Sequence, residues 1–425
     1  MRWSCLFLAC HLIGCGSSPA ADVVVDAGSD SGADACGPAF DSTELPAGTT
    51  VTLATCPAST FMLRSGGGSL TTIDDTHTSW TLGKAPVINT VQGYGPVSYY
   101  STGDSIQPTW LTTVRATLAT PYATESFGDV NDFLTAQKND GSTEDCAFAP
   151  NGKLTMGVPG GLIQVGPDGK SSAMKLTGDP LVAPLGLFYD KTGRLWVADS
   201  KGPALRSVSP AGEVTTVVSS DGTQNLAMPN DVVTNDGKSV YFTDSCLGEV
   251  LFVQDGKVMD VAKFDLAKEG GANGVALDPD GKSLWVTTEN TGLLCQSKGV
   301  GPEAPISGLY RFQLTATGFG KRTDIAVNKG LFGDGLTFDS EGNLYVIFDQ
   351  EADFALTEST VWVLAKGDTK LVKFLTANDR VFANPVFGKG AFGGTQLYLA
   401  LLAVPPFTAP SARGLMRFDA GIKGL

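Results

Sequence analysis

Histidine is almost missing from this chain: of 425 residues only His11 and His77 carry an imidazole. A Ser-His-Asp triad or a histidine general base therefore cannot come from any residue beyond His77. Positive charge is also scarce, with 30 Lys and Arg against 44 Asp and Glu and a formal net charge of −14. No basic stripe is present, which argues against a nucleic-acid partner. No long segment shows convincing helical periodicity, and the apolar run Leu6 to Ile13 is far too short to span a bilayer as a helix. What is plentiful is 52 glycines, 23 prolines and 42% hydrophobic residues, a composition that fits many short strands and turns around a large core.

The N-terminus has the layout of an export signal, with Arg2 ahead of the apolar run. Leu12-Ile13-Gly14-Cys15 resembles a bacterial lipobox, which makes Cys15 the expected lipidated residue and 1–14 the signal peptide. Residues 15–37 are rich in Ala, Asp, Gly and Ser and hold no Lys or Arg, so they are expected to form a disordered acidic tether. Gly16 after the cysteine favours the outer membrane of a Gram-negative cell over retention at the inner one. The expected location is therefore an outer-membrane or periplasmic lipoprotein, with exposure at the cell surface left open, and the lipid as its only membrane contact. Export permits disulfides, and Cys36 with Cys56 and Cys246 with Cys295 are the plausible pairs. Cys146 falls inside an apolar strand and reads as a buried free thiol.

Beyond the tether, residues 38–117 show short apolar alternations such as TVTLAT and TWLTTV, and read as a small β-rich extension without a repeat. Residues 118–425 are different. Turn glycines recur at Gly152, Gly193, Gly237, Gly281 and Gly342, with a looser copy near Gly393 and Gly394. Strand units at steps of roughly 40 to 60 residues indicate propeller blades. Asn151-Gly152, Asp236-Gly237 and Asp280-Gly281 are strong hairpin signals. Six units fill the region, which predicts an all-β six-bladed propeller. The last unit lacks an outer strand, and a segment within Thr112 to Phe127 is expected to supply it and close the ring.

Four oxygen-bearing side chains stand at one point of the repeat. Glu144, Asn230, Asn273 and Asp334 each open the first strand of blades one, three, four and five. First strands line the axis of a propeller, so the four should meet there at one level. Leu185 occupies the position in blade two, and Asn384 is the sixth-blade neighbour. Two carboxylates and two amides offer oxygen only, with two charges against a dication, which is chemistry suited to Ca²⁺ or another hard divalent cation. Zinc would call for His or Cys, and neither stands at these points.

The segments that carry this pattern, PNDVV…YFTD, NGVALDPDGKSLWV and DGLTFDSEGNLYV, closely resemble the repeated motifs of the gluconolactonase/regucalcin (senescence marker protein) family. That family is related to diisopropyl fluorophosphatase and the paraoxonases, whose first-blade pattern is similar to STEDCAFAPNG. The resemblance covers roughly residues 126 to 425. It implies that Glu144, Asn230, Asn273 and Asp334 bind a catalytic metal, with Asn230 either a ligand or a substrate contact. It also implies a metal-dependent hydrolase acting on a small lactone or ester, with Asp334 as base or nucleophile. A non-catalytic propeller pinned by calcium, binding a ligand or envelope partner, is the alternative. Asp145 and Asp231 leave two readings open: a second, structural cation as in paraoxonases, or caps on strand ends. The catalytic histidine of paraoxonases has no counterpart here. The loops Asn290 to Leu309, Asp349 to Thr360 and Val404 to Arg413 are expected to roof the site. The chain is expected to act as a monomer.

Overall fold

The structure is a computed structural model that describes residues 44–46, 50–54, 60–65, 69–74, 77–82, 88–94, 108–117, 124–139, 143–290, 295, 306–329, 331–352, 355–368, 370–403 and 413–425. The expected signal, Cys15, the tether, Cys36 and Cys56 lie outside these residues, as do most of the loops after Asn290 and Ala403. The chain divides into two compact units, one ending at Thr117 and the other running from Leu118 to Leu425.

The N-terminal unit holds two sheets. One places Glu44–Pro46, Pro108–Thr117, Ile88–Tyr94 and Thr60–Ser65 side by side, with the first pair parallel. The other places His77–Thr81 between Thr50–Ala54 and Ser69–Asp74. Trp80 and Leu82 are buried there.

The second unit is a six-bladed β-propeller. Each blade is built on an antiparallel meander that runs outward from its innermost strand, the first of the meander, and blade two adds a short outer strand, Thr177–Gly178, parallel to Glu213–Val218. Those first strands are Cys146–Phe148, Pro184–Tyr189, Pro229–Thr234, Gly271–Leu277, Leu331–Phe338 and Val381–Phe387. The sixth blade takes its outer strand from Glu125–Phe127, which pairs with Gly414–Asp419 and so joins the two ends of the unit. The turn glycines adopt the backbone that hairpins need: Gly152, Gly193, Gly237, Gly281 and Gly342 have φ between 68° and 88°.

The core lies between blades. One cluster joins Tyr241, Val250 and Phe252 of blade three to Val275, Leu284, Val286 and Tyr310 of blade four. Another joins Phe148, Leu154 and Met156 of blade one to Tyr398, Ala400 and Leu415 of blade six. The aromatic residue on the second strand of most blades (Trp196, Tyr241, Trp285, Tyr345, Tyr398) is buried in these seams. Burial of each such side chain contributes roughly 1.5–3 kcal/mol, and the contacts fix the angle between neighbouring blades.

One expectation needs correcting. Asp349 to Thr360 is not a loop: Leu344–Ala352 and Ala355–Leu364 form one long hairpin that stays in register out to Ala352 opposite Ala355. Acidic residues interrupt the apolar alternation there, but backbone pairing continues past it.

Candidate functional site: a ring of oxygens on bulged strands

Blades three to six bend their first strands at the same place. In blade three, Pro229 faces Asp244 and Val232 faces Phe242, so Asn230 and Asp231 together occupy the space of one residue. Blade four repeats this at Asn273 and Gly274, blade five at Asp334 and Gly335, and blade six at Ala383 and Asn384. A shorter irregularity falls at Leu185 in blade two. A β-bulge leaves a residue out of the ladder and re-aims its side chain. In blades three to six the bulge thus leaves an oxygen-bearing side chain (Asn230, Asn273, Asp334, Asn384) out of the regular ladder, while Glu144 of blade one stands just before its unbulged first strand.

Threonines on the second strands hold these bulges and link the blades. The Thr243 hydroxyl accepts the N–H of Asp231 and donates to the carbonyl of Asn273 in the next blade. Thr287 accepts the N–H of Gly274 at 2.8 Å and donates to the carbonyl of Asp334 at 2.6 Å. Between blades one and six, Thr143 donates to the carbonyl of Leu401 and accepts the N–H of Gly414. Close approach elsewhere depends on glycine: a Cβ on Gly335 would fall 1.6 Å from Asn384 Oδ1.

Asp145 and Asp231 act in the same way. Each carboxylate accepts the N–H of the following residue with one oxygen, and reaches the first strand of the next blade with the other. Asp145 engages Cys146 and Leu187, and Asp231 engages Val232 and Val275. All four oxygens are thus occupied by backbone donors, and of the two readings of this pair the arrangement favours caps that pin neighbouring blades.

The ring residues differ. Asn230, Asn273 and Asp334 are at most 2% exposed, and Oδ1 of each has no hydrogen-bond partner. Glu144, partly exposed, is hydrogen-bonded by the side chain of Asn230. Buried oxygen without a donor costs roughly 1–3 kcal/mol per atom, so three in register mark a place built for something electropositive. The electrostatics agree. Burial and then the charge of Asp231 push Glu144 up to about 8. Asp334 is raised well above the usual carboxylate range by burial, then by Glu144, Asp349, Glu289 and Asp231. Asp145 is raised in the same sense by burial and the charge of Asp231, and Asp231 is raised to about 7 by burial.

Two members of this cluster escape the sequence reading. Glu289 ends the second strand of blade four and Asp349 stands at the matching point of the longer blade-five strand; they are 1% and 0% exposed, and each is pushed up to about 8 by burial. Glu144 and Asp349 add to the shift of Glu289, while Ser245 and Asn273 hydrogen-bond its carboxylate and lower it. Glu289 Oε1 lacks a partner, and Asp349 has the Ser359 side chain beside its carboxylate but accepts no backbone N–H. The signal in sequence was an acid at one point of the second strand in four consecutive blades (Asp199, Asp244, Glu289, Asp349), but in the first two that acid is structural. Asp199 accepts the N–H groups of Val182 and Ala183 and the Nε–H of Arg206. Asp244 accepts those of Ala227, Met228 and Leu247.

The donor set fits a hard dication: four unpartnered or acidic oxygens from Glu144, Asn230, Asn273 and Asp334, with no sulfur or imidazole. Among the described residues no three His, Cys, Asp or Glu side chains converge as an all-acid metal shell would, so a cation here depends on the two amides. On the hairpin side, a cavity of about 400 Å³ is lined by residues from all six first strands, beginning at Asp145, Asp231 and Asn384. Cys146 lines it as a buried free thiol, raised well above its usual range by burial. Cys246 and Cys295 form a disulfide, tying the turn after the blade-three second strand to the segment after Glu289.

Comparison with solved structures yields the fold. An X-ray structure of a putative gluconolactonase matches with TM-score 0.50 and 19% identity, over 72% of this chain and 94% of that one. A luciferin-regenerating enzyme matches with TM-score 0.50 and 15% identity, over 72% and 97%. A calcium-binding protein, regucalcin, from Agrobacterium tumefaciens gives 0.48 and 16%, over 72% and 96%. The first two share the six-bladed architecture with this chain. No protein-family model matches the sequence, and no curated protein matches it significantly.

Proposed function

We propose that the propeller is a metal-dependent hydrolase that opens a lactone or related ester at the Glu144–Asn230–Asn273–Asp334 ring. The observation that supports this most is the set of buried, unpartnered oxygens on Asn230, Asn273 and Asp334, each held on a bulge at the same level of consecutive blades. The fold held in common with a putative gluconolactonase is compatible with this reading. Ca²⁺ is the expected ion, and when bound it would supply Lewis-acid polarisation of an ester carbonyl and stabilisation of the resulting oxyanion.

The residues of the chain do the rest. Glu144 and Asp334 bring the compensating charge, while the amides of Asn230 and Asn273 supply neutral oxygen and set the geometry. Asp334 is the group best placed to take a proton from water or to attack the carbonyl, because no histidine is available among the blades. Asn230 is either a ligand or a contact to the substrate oxygen. Thr243 and Thr287 keep the bulges in register, so the four oxygens need little rearrangement when the cation arrives. The proposal extends to export, with which the Cys246–Cys295 disulfide is compatible since such bonds persist in oxidising compartments, and to a membrane anchor through lipid on Cys15, which rests on the lipobox resemblance alone.

The test is a Ca²⁺ titration combined with a panel of lactones and aryl esters, on the wild type and on Asp334→Ala. Turnover that requires Ca²⁺ and is lost in a folded Asp334→Ala variant is expected. Ca²⁺ binding with no turnover on any substrate would instead favour a calcium-pinned binding propeller.

A further inference from the structure

The cavity on the hairpin side of the propeller holds a polar group that the fold leaves unused. First strands run from the ring toward the hairpins, so the inner end of the cavity lies near the ring, and Lys389 and Leu425 stand at its mouth. Asp145, Asp231 and Asn384 line that inner end. The oxygens of the two acids are taken by the backbone N–H groups of Cys146, Leu187, Val232 and Val275. Asn384 is different. It is 5% exposed, and its amide makes no hydrogen bond among the described residues. It also departs from the bulge residues of blades three to five, because Asn230, Asn273 and Asp334 do not line the cavity and Asn384 does. A buried amide is costly unless something meets its oxygen and its N–H groups.

The rest of the wall defines what meets it. Each blade contributes a buried apolar side chain from its first strand: Phe148, Leu187, Val233, Val275, Leu336 and Phe387. Each first strand is also the inner edge of its sheet, so some of its backbone N–H and C=O groups have no partner strand. A volume of about 400 Å³, walled mostly by apolar residues with a few polar groups among them, has the make-up of a small-molecule site. Charge narrows the class. An anion at the inner end would lie beside Asp145 and Asp231, and a cation would find their oxygens already occupied. Lys389 is exposed at the mouth, away from Asn384. What suits the inner end is an uncharged group with N–H and C=O side by side, as in a lactam or primary amide. Asparagine pairs with such an edge through both its oxygen and its N–H.

We propose that this cavity is a second ligand site, separate from the ring, for an uncharged molecule with an apolar body and a lactam or amide edge that Asn384 receives. It stands apart from the hydrolase reading, and its test needs no turnover. The full chain with Ca²⁺ is titrated by calorimetry with a matched pair of probes, the bicyclic lactam carbostyril and N-methylcarbostyril, which lacks the N–H. The wild type is expected to bind one equivalent of carbostyril, and N-methylation to weaken binding roughly fivefold or more, the scale of one hydrogen bond. In Asn384→Leu the affinity for carbostyril is expected to fall by a similar factor, and the ratio of the two dissociation constants to approach one. A ratio within one variant does not depend on how much of the sample is folded. Wild-type crystals soaked with carbostyril give a check free of any variant, with density expected in the cavity and the lactam edge on the Asn384 amide. No binding of either probe would leave the cavity to water and overturn the proposal. So would equal affinity of the wild type for both probes, a ratio unchanged in Asn384→Leu, or density at the ring or outer surface in place of the cavity.

Discussion

Without a cation, the ring should make the protein less stable as pH rises, and Glu289 lets the size be worked out. Its carboxyl titrates near 4.5 in an unfolded chain and is pushed up to about 8 in the fold. Below pH 4.5 both states hold the proton and the group has no effect. Between 4.5 and 8 the unfolded chain ionises while the folded protein keeps its proton, so unfolding releases a proton and stability falls with each step in pH. Above about 8 the full penalty of a buried, unbalanced charge applies. A shift of this size corresponds to about 5 kcal/mol as a ceiling, and because the repulsion is shared with Glu144 and Asp349 the single-site effect is expected at roughly 2–5 kcal/mol. Glu144 and Asp349, also raised to about 8, act in the same direction.

Glu289→Gln removes one such charge while keeping the shape of the side chain. In EGTA at pH 8.5 the variant should melt higher than the wild type by roughly 5–10 °C, with the gap closing toward pH 4.5. Excess Ca²⁺ should flatten the wild-type profile, contributing about 4 kcal/mol at a thousandfold excess over its dissociation constant. Scanning calorimetry from pH 5 to 8.5, with and without EGTA, measures all of this. A wild-type melting temperature that stays flat in EGTA, with Glu289→Gln no more stable, would refute the reasoning.

Other substitutions separate pins from ligands. Asp231→Ala removes the acceptor for the N–H groups of Val232 and Val275, and should cost roughly 2–4 kcal/mol in denaturant unfolding. Thr287→Val should cost roughly 1–3 kcal/mol and weaken Ca²⁺ binding measured by calorimetry, while Thr287→Ser keeps both. Gly335→Ala drives a methyl into Asn384, so it should yield little folded protein by circular dichroism and gel filtration. Reducing Cys246–Cys295, which closes a separation of 49 residues, should lower stability by about 4 kcal/mol on chain entropy, read as a fall in melting temperature with reductant.

The blades were legible in sequence because hairpin glycines and alternating apolar strands are local signals, and each survives in the structure as a positive-φ turn or a buried seam. The four ring residues were legible as a register, since each precedes an apolar strand at one point of the repeat. Their bulges were not, because an extra residue in one strand shows only against its partner. Glu289 and Asp349 stayed hidden for a related reason. In sequence they look the same as Asp199 and Asp244, and only the loop N–H groups and the arginine that fill those two carboxylates set them apart. The hairpin through Ala352 and Ala355 read as a loop because charged residues broke its alternation, although backbone pairing does not require alternation.

The central claim is that the ring holds one hard cation, and anomalous diffraction from crystals grown with Ca²⁺ or Mn²⁺ tests it most directly. The account predicts a single strong peak within about 2.6 Å of Asn273 Oδ1 and of the carboxylates of Glu144 and Asp334, with Asn230 either in the shell or just outside it. A map with no peak at the ring, or with the ion bound only elsewhere, would contradict it.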